Sequence, residues 1–123
     1  MANPIGPDFV ALQVRDLKSS TIFYTDVLGF KLAQQSPPDA VVFETQPIPF
    51  AIRNPVRPLP ETGPLGTGLA LWIACDDADK LHDAVRDRGG MVLSVPADGP
   101  FGRFFSVQDP DGYVLTFHTA GNA

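Results

Sequence analysis

Side chains alternate between positions 9 and 14. In an extended chain Val10, Leu12 and Val14 fall on one face and Phe9, Ala11 and Gln13 on the other. The same period of two returns about 60 residues later, where Leu69, Leu71, Ile73 and Cys75 oppose Ala70, Trp72 and Ala74. Each strand runs into candidate helix caps, Asp16 to Ser19 in the first case and Asp76 to Asp79 in the second. An apolar helical stripe follows, formed by Ile22, Phe23 and Val27 before Gly29, and by Ala78, Leu81 and Val85 before Gly89-Gly90. Three further strand-like runs follow each helix, at 30–35, 40–45 and 49–53, then at 91–95, 104–108 and 113–118. The order is βαβββ twice, which predicts an α+β fold built from an internal duplication.

Turn chemistry separates these elements. Ser36-Pro37-Pro38-Asp39 divides the second and third runs, and Asp109-Pro110-Asp111-Gly112 joins the last two into a hairpin. In the latter, Pro110 presets φ, the two aspartates can bond their own backbone, and Gly112 can take positive φ. Pro55, Pro58, Pro60 and Pro64 crowd one stretch too densely for a ladder or a helix. Residues 55–67 are therefore read as a linker between module one, 8–54, and module two, 68–119, within a single domain spanning 1–123. The 96–102 segment, with Phe101 between Gly99 and Gly102, is read as a loop.

Composition narrows the function. A chain of 123 residues suits one compact domain. Its net charge of −5 argues against nucleic acid, whose phosphates require clustered Lys and Arg. Cys75 is the single cysteine, so neither an internal disulfide nor a cysteine-based zinc site is expected. No apolar run is long enough for a membrane span, and the first residues lack the basic and apolar regions of a signal peptide. The expected location is the cytoplasm, with no membrane partner.

Four stretches stand out together: Val14-Arg15-Asp16-Leu17, Phe23-Tyr24 with Val27-Leu28-Gly29-Phe30, the Gly89-Gly90 helix end, and Phe105-Ser106-Val107 leading into Asp109-Pro110-Asp111-Gly112. With them the chain resembles the vicinal oxygen chelate superfamily, the group of glyoxalase I, fosfomycin-resistance, bleomycin-resistance and extradiol dioxygenase proteins. The resemblance covers about residues 8–119. It implies two βαβββ modules whose curled mixed sheets form a cleft, often completed in a homodimer. Metal-dependent members carry one ligand on the first and fourth strand of each module. Those positions correspond here to Phe9, Ala70 and Thr116, with Ala51 or Arg53 on the strand whose register the sequence leaves open against Phe50 and Ile52. None is His, Glu or Gln, and phenyl, methyl, guanidinium and neutral hydroxyl groups are poor partners for a catalytic divalent ion. No cofactor and no metal ligand is therefore expected.

Strand parity selects the cleft residues: Phe9 and Gln13; Trp72; Phe104 and Ser106; Thr116 and His118. Trp72 stands between two alanines, a large flat ring over small neighbours suited to stacking a planar ligand, or else to plugging the cleft or a dimer seam. Phe101 could close over a ligand from its glycine-flanked loop, Asp98 could meet a cationic group, and Arg53 could pair with a carboxylate or phosphate. His118 could hold a ligand or act as a base. His82, among Lys80, Asp83 and Arg86, is expected on a solvated helix face, and Cys75 as a packed thiol. The function this favours is metal-free sequestration of a planar or cationic antibiotic-type molecule by a homodimer resembling the bleomycin-resistance branch, with no catalytic residue. The alternatives are a metal-dependent lyase, isomerase or dioxygenase; a metal-free enzyme of secondary metabolism using His118 or Tyr113; and a domain whose own side chains fill the cleft.

Overall fold

A computed structural model describes residues 2–120. Met1, the first residue of the N-terminal arm, and 121–123 lie outside the described residues. The chain divides into two compact units, one holding the chain up to Thr25 together with Gly29–Leu59, the other Asp26–Leu28 and the chain from Pro60 onward. Among the described residues, no helix is long and apolar enough to cross a membrane.

In the first unit, β1 (Val10–Gln13) lies parallel to β3 (Phe50–Arg53), and β2 (Ala40–Phe43) runs antiparallel to β3 on its other side. The stretch expected as a strand at 30–35 is reduced to a single bridge between Leu32 and Phe43. Two hydrogen bonds hold it, Ala33 N to Val42 O (2.9 Å) and Glu44 N to Lys31 O (2.8 Å).

Helix α1 (Leu17–Ile22) starts at Asp16, whose carboxylate accepts from the backbone of Lys18 and Ser19. It continues as one π-helical turn, Phe23–Val27, and closes at Gly29 with φ 87°. The expected stripe is corrected here. Ile22 is 51% exposed, and the buried positions are Ser20, Tyr24 and Leu28, four residues apart. Tyr24 takes the core because its ring stacks on Phe43 (centroids 5.6 Å) and meets Phe30 and Phe50. That cluster gains more from a flat ring than from a branched aliphatic side chain.

The second unit repeats the plan. β4 (Leu71–Cys75) is parallel to β8 (Val114–Thr119), β8 is antiparallel to β7 (Gly102–Gln108), and β5 (Met91–Val92) and β6 (Ala97–Gly99) share the far edge of β7. In each unit the first strand thus lies beside the last. Between β5 and β6 the ladder is interrupted: Ser106 N donates to the Ser94 hydroxyl (3.1 Å) while its carbonyl accepts from Leu93 N (2.8 Å). The expected 96–102 loop is accordingly a hairpin. Gly99 pairs with Gly102 across a two-residue turn, Pro100-Phe101.

Helix α2 (Ala78–Asp87) is capped by Asp77 and packs on β5, β7 and β8. Its buried face is Ala78, His82 and Val85, which corrects the expectation of a solvated His82. His82 is 7% exposed, with its ring edge-on to Phe105 (5.4 Å) and Nδ1 2.9 Å from Asp83 Oδ1. Leu81, expected on the inner face, is only partly covered. The helix sits rotated from the purely apolar stripe because the Phe105 ring offers a flat surface to the imidazole.

The Asp109-Pro110-Asp111-Gly112 turn forms as expected. Gly112 N donates to Asp109 O (3.0 Å), and Asp109 Oδ1 accepts from Asp111 N and Tyr113 N (2.9 Å each). Gly112 adopts φ 94°, and the end of the proline-rich segment docks here, with Leu65 buried and its N–H 2.8 Å from Asp111 O. Part of the stretch read as linker is therefore structural.

Candidate functional site

The two faces of the second sheet differ in chemistry. Phe105, Val107, Leu115 and Phe117 are buried on the α2 side. By strand parity the other face carries two cross-strand rows, Trp72–Thr116–Ser106 and Ala74–His118–Phe104. Trp72 and Phe104 stand on strands two apart, roughly 10 Å, yet their ring centroids are 5.6 Å apart. The two side chains therefore lean over β8 toward each other. The small side chain of Ala74 leaves room beside them.

The β6–β7 hairpin brings in Phe101. Its ring meets Trp72 edge-on (5.6 Å, 76°), and its carbonyl lies 2.9 Å from His118 Nδ1. His118 in turn meets Trp72 edge-on at 5.8 Å. Phe104 lies against the hairpin backbone, where a Cβ on Gly99 would come within 2.7 Å of the ring. The result is an aromatic platform of Trp72, Phe101, Phe104 and His118 on which Trp72 is still 41% and Phe101 63% exposed. Ser106 and Thr116 complete it with a hydroxyl–hydroxyl hydrogen bond of 2.9 Å.

Asp98 does not join them. Its cross-strand partner is Arg103, one residue out of phase with Phe104, so both project to the α2 side. There Arg103 bridges Asp98 and Asp79 at 3.3 Å each, and the hydrogen bond it donates to the Asp79 carboxylate holds its guanidinium above the ordinary arginine range. The placement of Asp98 in the cleft is corrected accordingly. Cys75 also lies on the helix side, partly covered, and burial pushes its thiol up from the ordinary value.

Three predicted site residues belong to the first unit. Phe9 is exposed just ahead of β1, and Ala70 likewise precedes β4 instead of lying within it. Gln13 and Arg53 are register partners on one face. Gln13 Oε1 accepts from Val56 N (2.9 Å), which pins the start of the proline-rich segment, and Arg53 Nε donates to Asn54 O (3.1 Å). Phe50 packs on Tyr24, which places Ala51 and Arg53 on the opposite face of β3.

The residues do not suit the metal of the wider family. Thr116 Oγ1 is already paired with Ser106, and Ala70 offers only a methyl group. Among the described residues, no group of three or more His, Cys, Asp or Glu could hold an ion. The hairpin latch from His118 to Phe101 and the Arg103 clamp behind it escape sequence reading, since both depend on the 97–99 run pairing as a strand. The Ser106–Thr116 pair was accessible from hairpin register.

The family described as the glyoxalase/bleomycin resistance protein/dioxygenase superfamily matches residues 6–117. No curated protein matches the chain. Among solved structures, the chain is similar to a glyoxalase/bleomycin resistance protein from Streptomyces sp. CB03234 (TM-score 0.73, 23% identity, covering 93% of this chain and 100% of that one). It is also similar to an integron cassette protein from the mobile metagenome of V. cholerae (TM-score 0.72, 23% identity, 98% and 99%). A third similar structure is the bleomycin-binding protein of bleomycin-producing Streptomyces verticillus, complexed with copper(II)-bleomycin (TM-score 0.69, 22% identity, 98% and 100%). At these identities the likenesses establish the fold. With the family matched over nearly the whole chain, this protein belongs to the glyoxalase/bleomycin resistance protein/dioxygenase superfamily.

Proposed function

We propose that this protein binds a planar small molecule of the antibiotic type by affinity alone, without a metal, in the manner of the superfamily's bleomycin-binding members. The observation that carries the reading is the half-exposed Trp72 ring, held by Phe101, Phe104 and His118. A ligand plane laid on this platform removes exposed apolar area from water and adds about 0.5–1.5 kcal/mol for each aromatic pair beyond burial. A positive charge on the ligand would be favoured at the indole face and by the net charge of −5. Sequestration requires no acid–base pair, and among the described residues the platform's polar groups are two hydroxyls bonded to each other and one imidazole bonded to a carbonyl. The bleomycin-binding structural neighbour supports this choice within the family. The protein is proposed to act as a cytoplasmic homodimer.

Trp72 is the single tryptophan, so its fluorescence reports the site directly. Titration with bleomycin is expected to quench it saturably. Unchanged emission up to high micromolar bleomycin would remove bleomycin as the ligand. Stoichiometric Ni, Zn, Mn or Fe in protein purified without chelator would overturn the metal-free reading.

A further inference from the structure

We infer that His118 is a tautomer-locked hydrogen-bond acceptor that selects planar ligands carrying an N–H or O–H donor at their edge. The inference rests on the aromatic-platform reading and names what that platform discriminates. His118 Nδ1 lies 2.9 Å from the carbonyl oxygen of Phe101. A carbonyl can only accept, so Nδ1 carries the hydrogen. A neutral imidazole has one N–H, which leaves the Nε2 lone pair as an acceptor.

No group of the described residues bonds that nitrogen. The cross-strand neighbours of His118 on this face are Ala74 and Phe104, both without side-chain donors. Ser106 and Thr116, in the neighbouring cross-strand row, bond each other at 2.9 Å. His118 is partly exposed, so in the free protein water can satisfy Nε2. A planar ligand laid against Trp72 displaces that water. One with an edge donor replaces the lost bond, whereas one without leaves a covered acceptor unpaired, and it is the unpaired group that discriminates. The hairpin makes this selective, because the same Phe101 residue supplies both a ring against Trp72 and the carbonyl that sets the tautomer.

The test uses the whole protein at pH 8. Two-bond 15N–1H NMR correlations report the His118 tautomer, with His118→Phe distinguishing its signals from those of His82. Indole and benzofuran are then titrated, followed through the Trp72 indole resonance. They are planar bicycles that differ by N–H against O. The inference expects the Nδ1–H tautomer in the free protein, indole binding about fivefold to tenfold tighter than benzofuran, and equal affinities in His118→Phe. An Nε2–H tautomer, or equal affinities in the native protein with both probes bound, would overturn the inference and leave the platform standing. Failure of both probes to shift Trp72 would overturn the platform reading, and the inference with it.

Discussion

Gly112→Ala tests how the final hairpin is anchored. Gly112 sits at φ 94°, and a Cβ there would lie 2.5 Å from Pro64 Cα and 2.6 Å from Pro64 Cβ. Left-handed backbone costs an alanine about 1–2 kcal/mol. The Pro64 atoms in the way are backbone and a ring rather than the end of a flexible chain, so the 64–65 segment must retreat by about 1 Å to restore ordinary contact. That retreat removes the 2.8 Å bond from Leu65 N to Asp111 O, about 1 kcal/mol. It also re-exposes part of the buried Leu65 side chain, about 1–2 kcal/mol more. The sum, about 3–5 kcal/mol, is a large share of the roughly 5–15 kcal/mol that holds a domain together. It corresponds to a fall of about 10–20 °C in Tm for a chain of this size. Urea titration followed by far-UV circular dichroism measures it. Gly89→Ala is the control, because Gly89 has φ 88° but nothing within 4 Å of its Cβ position, so it reports backbone strain alone. Equal losses in the two variants would refute the view that the turn is wedged against the end of the proline-rich segment.

The remaining predictions concern the platform, the buried Ser20 and the partly covered Cys75. Trp72→Ala should weaken bleomycin binding about 100-fold by calorimetry, since covering the exposed part of the ring and stacking on it together contribute about 3 kcal/mol; a loss under threefold would contradict the platform. Ser20→Ala should leave stability unchanged or raise it by about 1 kcal/mol in chemical denaturation, because Ser20 Oγ is buried without a hydrogen-bond partner. A loss above 1 kcal/mol would indicate a bond to that hydroxyl. Cys75 should react with iodoacetamide more slowly at pH 8 than a free thiol, because burial disfavours its thiolate. By the same raised pKa, its contribution to stability is complete below the unfolded thiol's titration near ~8.5 and declines as pH rises through the folded value. Stability of a Cys75→Ala variant relative to the native chain, measured at pH 7 and pH 10, should reveal this as a narrowing difference; a constant difference would oppose it.

Much of this protein is legible in one dimension. The period-two alternation sorted Trp72, Thr116 and Ser106 from Leu115, Phe117 and Val107, because successive residues of any strand must face opposite ways. Asp16 and Asp77 marked the helix starts and Asp109 to Gly112 the final turn, because caps and turns are satisfied by the residues that form them. Other features required the folded partners. Tyr24 instead of Ile22 enters the core through a π-helical turn, and His82 is covered by the Phe105 ring, since helix rotation answers to the surface it packs on. Asp98 faces α2 and Phe101 reaches His118 because the 97–99 run pairs with β7, a register no local preference specifies. Local chemistry decided which faces exist; only tertiary structure decided which side chains on them meet, because distant segments must first be brought into register.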